Sequence, residues 1–191
     1  MEVLAHAMNE PPRKKRITVF EIALFGMFGA LMFLTQWLME AIPNIHPLAM
    51  FIAAFTVVYR WKALIPLYVY IFIEGVVGGF AAWWLPYLYI WLSLWGAVML
   101  AAAALEKRGV PAKWRTVVYM VLCALHGLTF GAAYAPVQAL LFGLSFKATL
   151  AWIAAGLWFD LAHGAGNFAA GALVVPLAAL LRKLERGRKL A

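Results

Sequence analysis

Several residues with chemically versatile side chains interrupt otherwise apolar stretches of this sequence. Asp160, His163 and Asn167 are spaced i, i+3 and i+7, which places them on one face of a helix. Glu74 and His126 occur in two other apolar runs. Carboxylates, imidazoles and a carboxamide can exchange hydrogen bonds with a ligand, transfer protons or bind a metal. These residues are therefore the first candidates for a functional site.

The motifs of common enzyme and metal sites are absent. There is no HExxH sequence, no pair of histidines spaced i, i+4, no GxSxG and no GxxxxGK[ST] phosphate loop. The single cysteine, Cys123, excludes an internal disulfide and a Cys/His zinc pattern. We therefore expect no catalytic residue, no metal and no cofactor. An intramembrane enzyme is the least favoured alternative.

The composition indicates that membrane helices position these residues. Of 191 residues, 66% are apolar and 13% are charged, and the mean hydropathy is +0.86. Ordinary soluble domains are about 45–50% apolar and about 25% charged. The interior of a soluble domain of this length cannot hold so much apolar surface. The sequence therefore predicts an integral, multi-pass membrane protein.

Six apolar runs predict transmembrane helices, although the second is short for a span. They cover 17–39, 45–59, 63–82, 88–105, 116–134 and 161–181. The stretch 136–160 is ambiguous, because it fits either a seventh span or partial helices. If the chain has six spans and its N-terminus is cytoplasmic, all of the 16 Lys and Arg residues except Lys147 lie on the cytoplasmic side. That distribution agrees with the positive-inside rule, whereas a seventh span would place the basic C-terminal tail outside.

The predicted fold is therefore an all-α membrane protein with six transmembrane helices and both termini in the cytoplasm. Residues 136–160 form a loop and partial helices that cap the outer side. Residues 17–181 make one domain between basic cytoplasmic tails at 1–16 and 182–191. Because the basic residues occur in short patches beside helices, we expect contact with anionic lipid and no binding of nucleic acid.

Polar groups within a bilayer are costly, so each needs a reason to be there. Glu21 lies beside the basic N-terminal segment, and we expect it to pair with a Lys or Arg. Glu74 is followed by Gly75 and Gly78, so it fits both a helix-packing role and a ligand contact. His126 is equally open between packing and ligand binding.

The outer ends of the helices and their loops complete a predicted substrate-binding site. Aromatic faces with a few hydrogen-bonding groups suit a flat ring. No Lys or Arg lies at mid-membrane, so the buried acids favour a cationic or donor-rich ligand over a strongly anionic one. The candidate substrate-binding residues are Asn44, His46, Glu74, Trp84, Tyr87, His126, Trp158, Asp160, His163 and Asn167.

Three stretches resemble the substrate-binding S components of energy-coupling factor (ECF) vitamin transporters. They are the small-residue run at 23–30, the Ile-Pro-Asn-Ile-His turn at 42–46, and the segment Phe-Asp-Leu-Ala-His-Gly-Ala-Gly-Asn-Phe at 159–168. The similarity also includes the chain length and the six spans, and it covers most of residues 17–183.

The resemblance implies a location in a prokaryotic plasma membrane and high-affinity binding of a vitamin or related micronutrient in a pocket on the outer side. It also implies assembly with a transmembrane coupling subunit and two ATPase subunits, and toppling of the S subunit to release its cargo. Small residues on the first helix would contact the coupling subunit, and the matching positions are Ala23, Gly26 and Ala30. Met27 breaks the Ala-xxx-Ala spacing, but Gly26-xxx-Ala30 fits a small-xxx-small version. A stand-alone small-molecule permease is the main alternative.

Overall fold

The structure is a computed structural model that describes residues 17–42 and 45–190, with backbone only for 188–190. All regular structure in these residues is helical. The α-helices are α1 (Val19–Leu38), α2 (Leu48–Tyr59), α3 (Leu64–Gly78), α4 (Tyr87–Lys107), α5 (Ala112–Leu128), α6 (Phe130–Phe142), α7 (Phe146–Gly171) and α8 (Val174–Leu190). Short 3-10 turns at Arg60–Ala63 and Ala82–Trp84 precede α3 and α4.

Helix α1 begins with a reciprocal cap. The Thr18 hydroxyl accepts a hydrogen bond from the Glu21 amide, and the Glu21 carboxylate accepts one from the Thr18 amide. The same carboxylate accepts a hydrogen bond from Lys62 Nζ at 2.5 Å. This ion pair joins the start of α1 to the turn before α3 and confirms the prediction that Glu21 pairs with a basic side chain.

Helix α2 forms the centre of the fold. Every residue from 48 to 57 is buried, and α2 packs against α4, α5, α7 and α8. Its one polar residue in this range, Thr56, donates its hydroxyl hydrogen bond to Ile52 O at 2.6 Å. Twelve residues rise only about 18 Å. The short second run of the sequence is thus a helix enclosed by other helices.

Aromatic contacts give the relative direction of α1 and α2. Phe28 stacks on Phe55 with ring centroids 4.5 Å apart, and Phe25 meets Tyr59 edge-on at 5.2 Å. Residue numbers therefore increase along α1 while they decrease along α2, so these two helices are antiparallel.

The chain reverses direction again at the turn after α2. Arg60 has a φ of 57°, a left-handed conformation that is uncommon outside glycine. In α3, Pro66 and Val69 pack against Gly29, a few turns further along α1 than the Glu21–Lys62 contact. Helices α1 and α3 are therefore parallel, and α2 runs against both.

Glycines allow α5 and α7 to pack closely. A Cβ on Gly127 would lie 2.7 Å from the backbone nitrogen of Gly164, and one on Gly171 would lie 2.7 Å from Cα of Met120. The atoms met are backbone atoms, which cannot move aside as flexible side chains can. These two helices make the most extensive helix–helix interface of the described residues.

The polypeptide is compatible with a multi-pass membrane protein. Four helical stretches are long and apolar enough to cross a bilayer: Val19–Leu38, Leu48–Gly78, Ala82–Lys107 and Ala112–Phe142. Helices α7 and α8 make a fifth candidate if the pair counts as one span, with a bend of 46° between them. The described residues thus contain four or five candidate spans by length and composition, and the stretch Leu48–Gly78 contains the reversal at Arg60.

The prediction of a loop and partial helices at 136–160 is wrong in extent, because only the link at 143–145 is not helical. Helix α6 continues through Pro136 and ends at Gly143, which has a φ of 62°. The Ser145 hydroxyl then caps α7 by accepting from the Ala148 amide, and α7 runs unbroken for 26 residues. The predicted single helix at 161–181 is wrong as well, because the chain bends between Gly171 and α8. Helix α6 can contain Pro136 because the proline ring removes only one backbone hydrogen bond, a loss that apolar helices tolerate.

An ion-pair network joins the ends of several helices. Arg60 contacts the Glu106 carboxylate, whose other oxygen lies 3.1 Å from an Arg182 nitrogen. Arg182 also donates to Val57 O at 3.2 Å. These contacts and the Lys62 ion pair lie at the same end of the bundle. The basic segment from Arg182 onward continues α8.

Overpacking at the α5–α7 interface provides a test of this fold. We expect Gly171→Ala to destabilise the protein by about 1–3 kcal/mol, because the new methyl group meets backbone atoms of α5. Gly156→Ala in the same helix is the matched control, since nothing lies within 4 Å of its Cβ position. This control should stabilise by up to about 1 kcal/mol. Thermal unfolding in detergent measures both, and equal effects would contradict the packing described here.

Candidate ligand-binding site

Four polar side chains from three helices meet in the interior of the bundle. They are Trp91 on α4, His126 on α5, and His163 and Asn167 on α7, each at most 6% exposed. The Trp91 and His126 rings lie 4.8 Å apart between centroids, and His126 and His163 lie 6.5 Å apart. His46, from the segment before α2, meets His163 edge-on at 5.1 Å. We call these five residues the polar cluster.

Buried polar atoms of the polar cluster have no hydrogen-bond partner among the described residues. They are His46 Nδ1, Trp91 Nε1, His126 Nε2, His163 Nε2, and both Oδ1 and Nδ2 of Asn167. An unpaired buried donor or acceptor costs about 1–3 kcal/mol. Native proteins contain only a few such groups, so their concentration at one place makes the polar cluster the candidate binding site.

Phe130, the first residue of α6, closes one side of the polar cluster. Its ring centroid lies 5.0 Å from that of His163, 5.8 Å from Trp91 and 6.2 Å from Tyr87. Sequence reasoning missed both Phe130 and Trp91. The signal for Trp91 was its position four residues after Tyr87, on the same face of one helix.

A cavity of about 380 Å³ lies beside His46. Its lining includes two carboxylates, Glu40 and Glu74, and the polar groups of Gln36 and Tyr87. No Lys or Arg is among its lining residues in the part of the chain that the structure describes. Sequence reasoning selected Glu74 but missed Glu40, which lies in the turn after α1. This acidic cavity can accommodate a positively charged or donor-rich group.

A second cavity, of about 360 Å³, lies on the side of His163. Aromatic side chains of α6 and α7 line it, among them Phe130, Tyr134 and Trp152. His46 lines the first cavity and His163 the second, and their rings are in contact. The polar cluster therefore lies between an acidic cavity and an aromatic one.

Asp160 has a structural partner. Its carboxylate accepts hydrogen bonds from the Gly131 amide, with oxygens at 3.0 and 3.2 Å, and the residue is 7% exposed. Gly131 is the second residue of α6, where backbone amides have no partner within their own helix. A Cβ at this position would come within 2.6 Å of the carboxylate. Asp160 thus caps the start of α6 from α7, although it also lines the second cavity.

Two of the sequence-predicted residues, Trp84 and Trp158, lie at neither the polar cluster nor the two cavities. The Trp84 indole donates to Ile71 O at 2.7 Å and packs on α3. Trp158 is 75% exposed on the outside of α7. Asn44 lies outside the residues that the structure describes. Tyr87, by contrast, lines the first cavity and also meets the Phe130 ring of the second.

Burial controls the charge of His46. Loss of solvent lowers the pKa of this imidazole from 6.5 to about 4, so it is neutral at physiological pH. Within the described part of the chain, no group of three or more His, Cys, Asp or Glu side chains is placed to hold a metal ion. His46 therefore offers the polar cluster a neutral hydrogen-bonding group.

The predicted coupling residues lie on α1, away from the polar cluster. Ala23 is exposed, and nothing lies within 4 Å of a Cβ on Gly26. Ala30 is half-buried, whereas the neighbouring Gly29 packs inward against α3. Small residues at 23 and 26 thus leave an open strip on the outer face of α1.

The fold and site define an all-helical chain with membrane-length apolar helices around a buried polar cluster. Comparisons of the chain with known protein families, with curated proteins and with solved structures found no match.

Removal of the Asp160 carboxylate tests its capping role. We expect Asp160→Leu to destabilise the protein by about 0.5–2 kcal/mol, because the Gly131 amide loses its acceptor. Asp160→Asn keeps an acceptor oxygen and should lose less. Thermal unfolding of both variants makes the comparison. Equal losses would show that charge, and not the hydrogen bond, is what matters at this position.

The pKa of His46 predicts a pH dependence of stability. Since the folded pKa lies below 6.5, the unfolded chain takes up this proton first, and stability falls as the pH drops from about 6.5 toward 4. The shift corresponds to at most about 3 kcal/mol at pH 4. We expect His46→Gln to unfold with a shallower decline over this window, measured as Tm against pH. Parallel curves for the two proteins would contradict the prediction.

Proposed function

We propose that this protein is the substrate-binding S component of an ECF-type importer for a vitamin or related micronutrient. The observation that carries the proposal is the polar cluster, whose buried donors and acceptors are unpaired in the described structure. A cluster of this kind between two cavities fits a site that holds a small molecule tightly by hydrogen bonds. The resemblance of residues 159–168 to S components adds support, since this stretch contributes His163 and Asn167.

The proposed topology has six crossings with both termini in the cytoplasm. The alternating directions of α1, α2 and α3 support three of these crossings within the first 78 residues. The ion-pair network supports assignment of its end of the bundle to the cytoplasm, because basic residues gather there as the positive-inside rule requires. His46 precedes α2, whose other end reaches this network, so the polar cluster would lie nearer the extracellular side.

The proposed partners are a transmembrane coupling subunit and two ATPase subunits. The open strip at Ala23 and Gly26, extended by Ala30, supports a close helix–helix contact in the membrane. Met27 is 69% exposed beside this strip, so the partner helix would have to pack around its side chain. The chain has no phosphate-binding loop of its own, so separate subunits would supply the energy.

A transport assay with a variant of the open strip tests the proposal. Mass spectrometry of compounds that co-purify with the protein first identifies the substrate for uptake measurements. We expect Gly26→Leu to reduce ATP-dependent uptake at least tenfold and to prevent co-purification of the coupling subunit. Binding of the same compound should be unchanged, because Gly26 is remote from the polar cluster.

Gly96→Leu is the matched control, since this helical glycine on α4 also has nothing within 4 Å of its Cβ position. It should keep both uptake and subunit assembly. Uptake that persists after inactivation of the ATPases would contradict the proposal in favour of a stand-alone permease. Turnover of the compound by the purified chain alone would favour an enzyme.

A further inference from the structure

The chemistry of the polar cluster defines the class of molecule that it can bind. We infer that Trp91, His126 and Asn167 recognise the uncharged edge of a planar heterocycle that carries a hydrogen-bond donor beside an acceptor. This inference rests on the proposed function, in that the site must hold a small molecule. The inference is more specific than the proposed function, because a micronutrient-binding site in general could also take a cationic, anionic or purely apolar ligand.

The hydrogen bonds of Ser93 determine which nitrogen of His126 carries the proton. The Ser93 hydroxyl donates to Ile90 O at 2.7 Å, which uses its one hydrogen. Ser93 Oγ also lies 3.3 Å from His126 Nδ1 and can only accept there. His126 Nδ1 is therefore the N–H donor, and in the neutral imidazole Nε2 is left as an acceptor. A ligand must donate a hydrogen bond to this nitrogen.

The other groups require a ligand with the complementary atoms. The Trp91 indole nitrogen can only donate, so it needs an acceptor on the ligand. The Asn167 carboxamide has an unpaired acceptor and an unpaired donor side by side, which match an adjacent donor and acceptor on one edge of a ring. Lactams, amides and aminoazines have such an edge. Tyr87 lines the first cavity and Phe130 the second, so an aromatic ring is available in each cavity beside the cluster to a flat molecule.

The charges near the polar cluster favour a neutral edge. None of its five members carries a formal charge, and the nearest acid on α7, Asp160, is occupied by the Gly131 amide. Burial of an ion without a partner is costly. The carboxylates of Glu40 and Glu74 line the cavity on the other side of His46 and would meet only a group that extends beyond the ring.

A set of probes matched in size tests the inference by thermal unfolding of the purified protein. Uracil and nicotinamide are neutral and carry both a donor and an acceptor. Nicotinate is anionic, 1-methylnicotinamide is cationic, and toluene has no polar group. At about ten times its Kd, each neutral probe should raise Tm by about 3–6 °C, and the other three should not. A larger shift with a charged or apolar probe, or with Ni²⁺ or Zn²⁺ alone, would overturn the inference.

Variants of the polar cluster separate binding from folding. Asn167→Leu removes unpaired buried polar atoms, so the ligand-free Tm should stay the same or rise while the shift with uracil disappears. Trp91→Phe keeps an aromatic ring but removes the donor, and it should reduce the shift with both neutral probes. Thr56→Val alters a buried hydroxyl that is bonded within α2, and it should leave the shift intact.

Different results would overturn the inference about the ring edge and the proposed transport function. A drop in ligand-free Tm for Asn167→Leu, without any shift in the unmodified protein, would make Asn167 an ordinary packing residue and overturn the inference. ATP-dependent uptake of a compound whose ring edge is itself charged would overturn it too, while the proposed transport function would stand. Loss of ATPase dependence would overturn the proposed function even if uracil and nicotinamide bind.

Discussion

The organisation of this protein depends on one constraint, which is that hydrocarbon offers no hydrogen bonds to the polar groups of a membrane-spanning helix. Most polar side chains inside the bundle have an internal partner. Thr56 bonds to its own helix, Tyr70 donates to Gln36, and Asp160 accepts from the amide of Gly131. The unpaired atoms are concentrated in the polar cluster. Because the chain satisfies similar groups elsewhere, the polar cluster is the place where a bound molecule would gain most from hydrogen bonds.

Close packing of α5 and α7 brings the side chains of the polar cluster together. Gly127 directly follows His126, and Gly164 directly follows His163, so the contact between these glycines brings both histidines to the same level of the bundle. A Cβ on Gly127 would also lie 2.9 Å from the Asn167 amide nitrogen. The small residues of these helices therefore support the fold and the site through the same contact, and a change in their spacing would disturb both.

The sequence predicted the parts of the fold and site that follow from local pattern. The i, i+3, i+7 spacing correctly predicted that His163 and Asn167 share one buried face, because α7 is helical throughout. The charge of Glu21 correctly predicted its ion pair with a basic side chain. It could not predict that α7 begins at Phe146, since small and apolar residues fit a loop, partial helices or a long helix equally well. Phe130 was missed because its role depends on contacts with rings of α4 and α7, which only tertiary packing defines.

The hydrogen bonds of Asp160 limit which acids of this chain could interact with a ligand. An acid within an apolar helix invites a pairing with a cation, but this carboxylate already stabilises the positive end of α6. The acids that remain, Glu40 and Glu74, lie in the cavity beside the polar cluster. A positively charged substituent would therefore gain its electrostatic attraction outside the cluster, and the ring would gain its hydrogen bonds inside. Separation of these two interactions allows one site to attract a charged molecule without burying its charge.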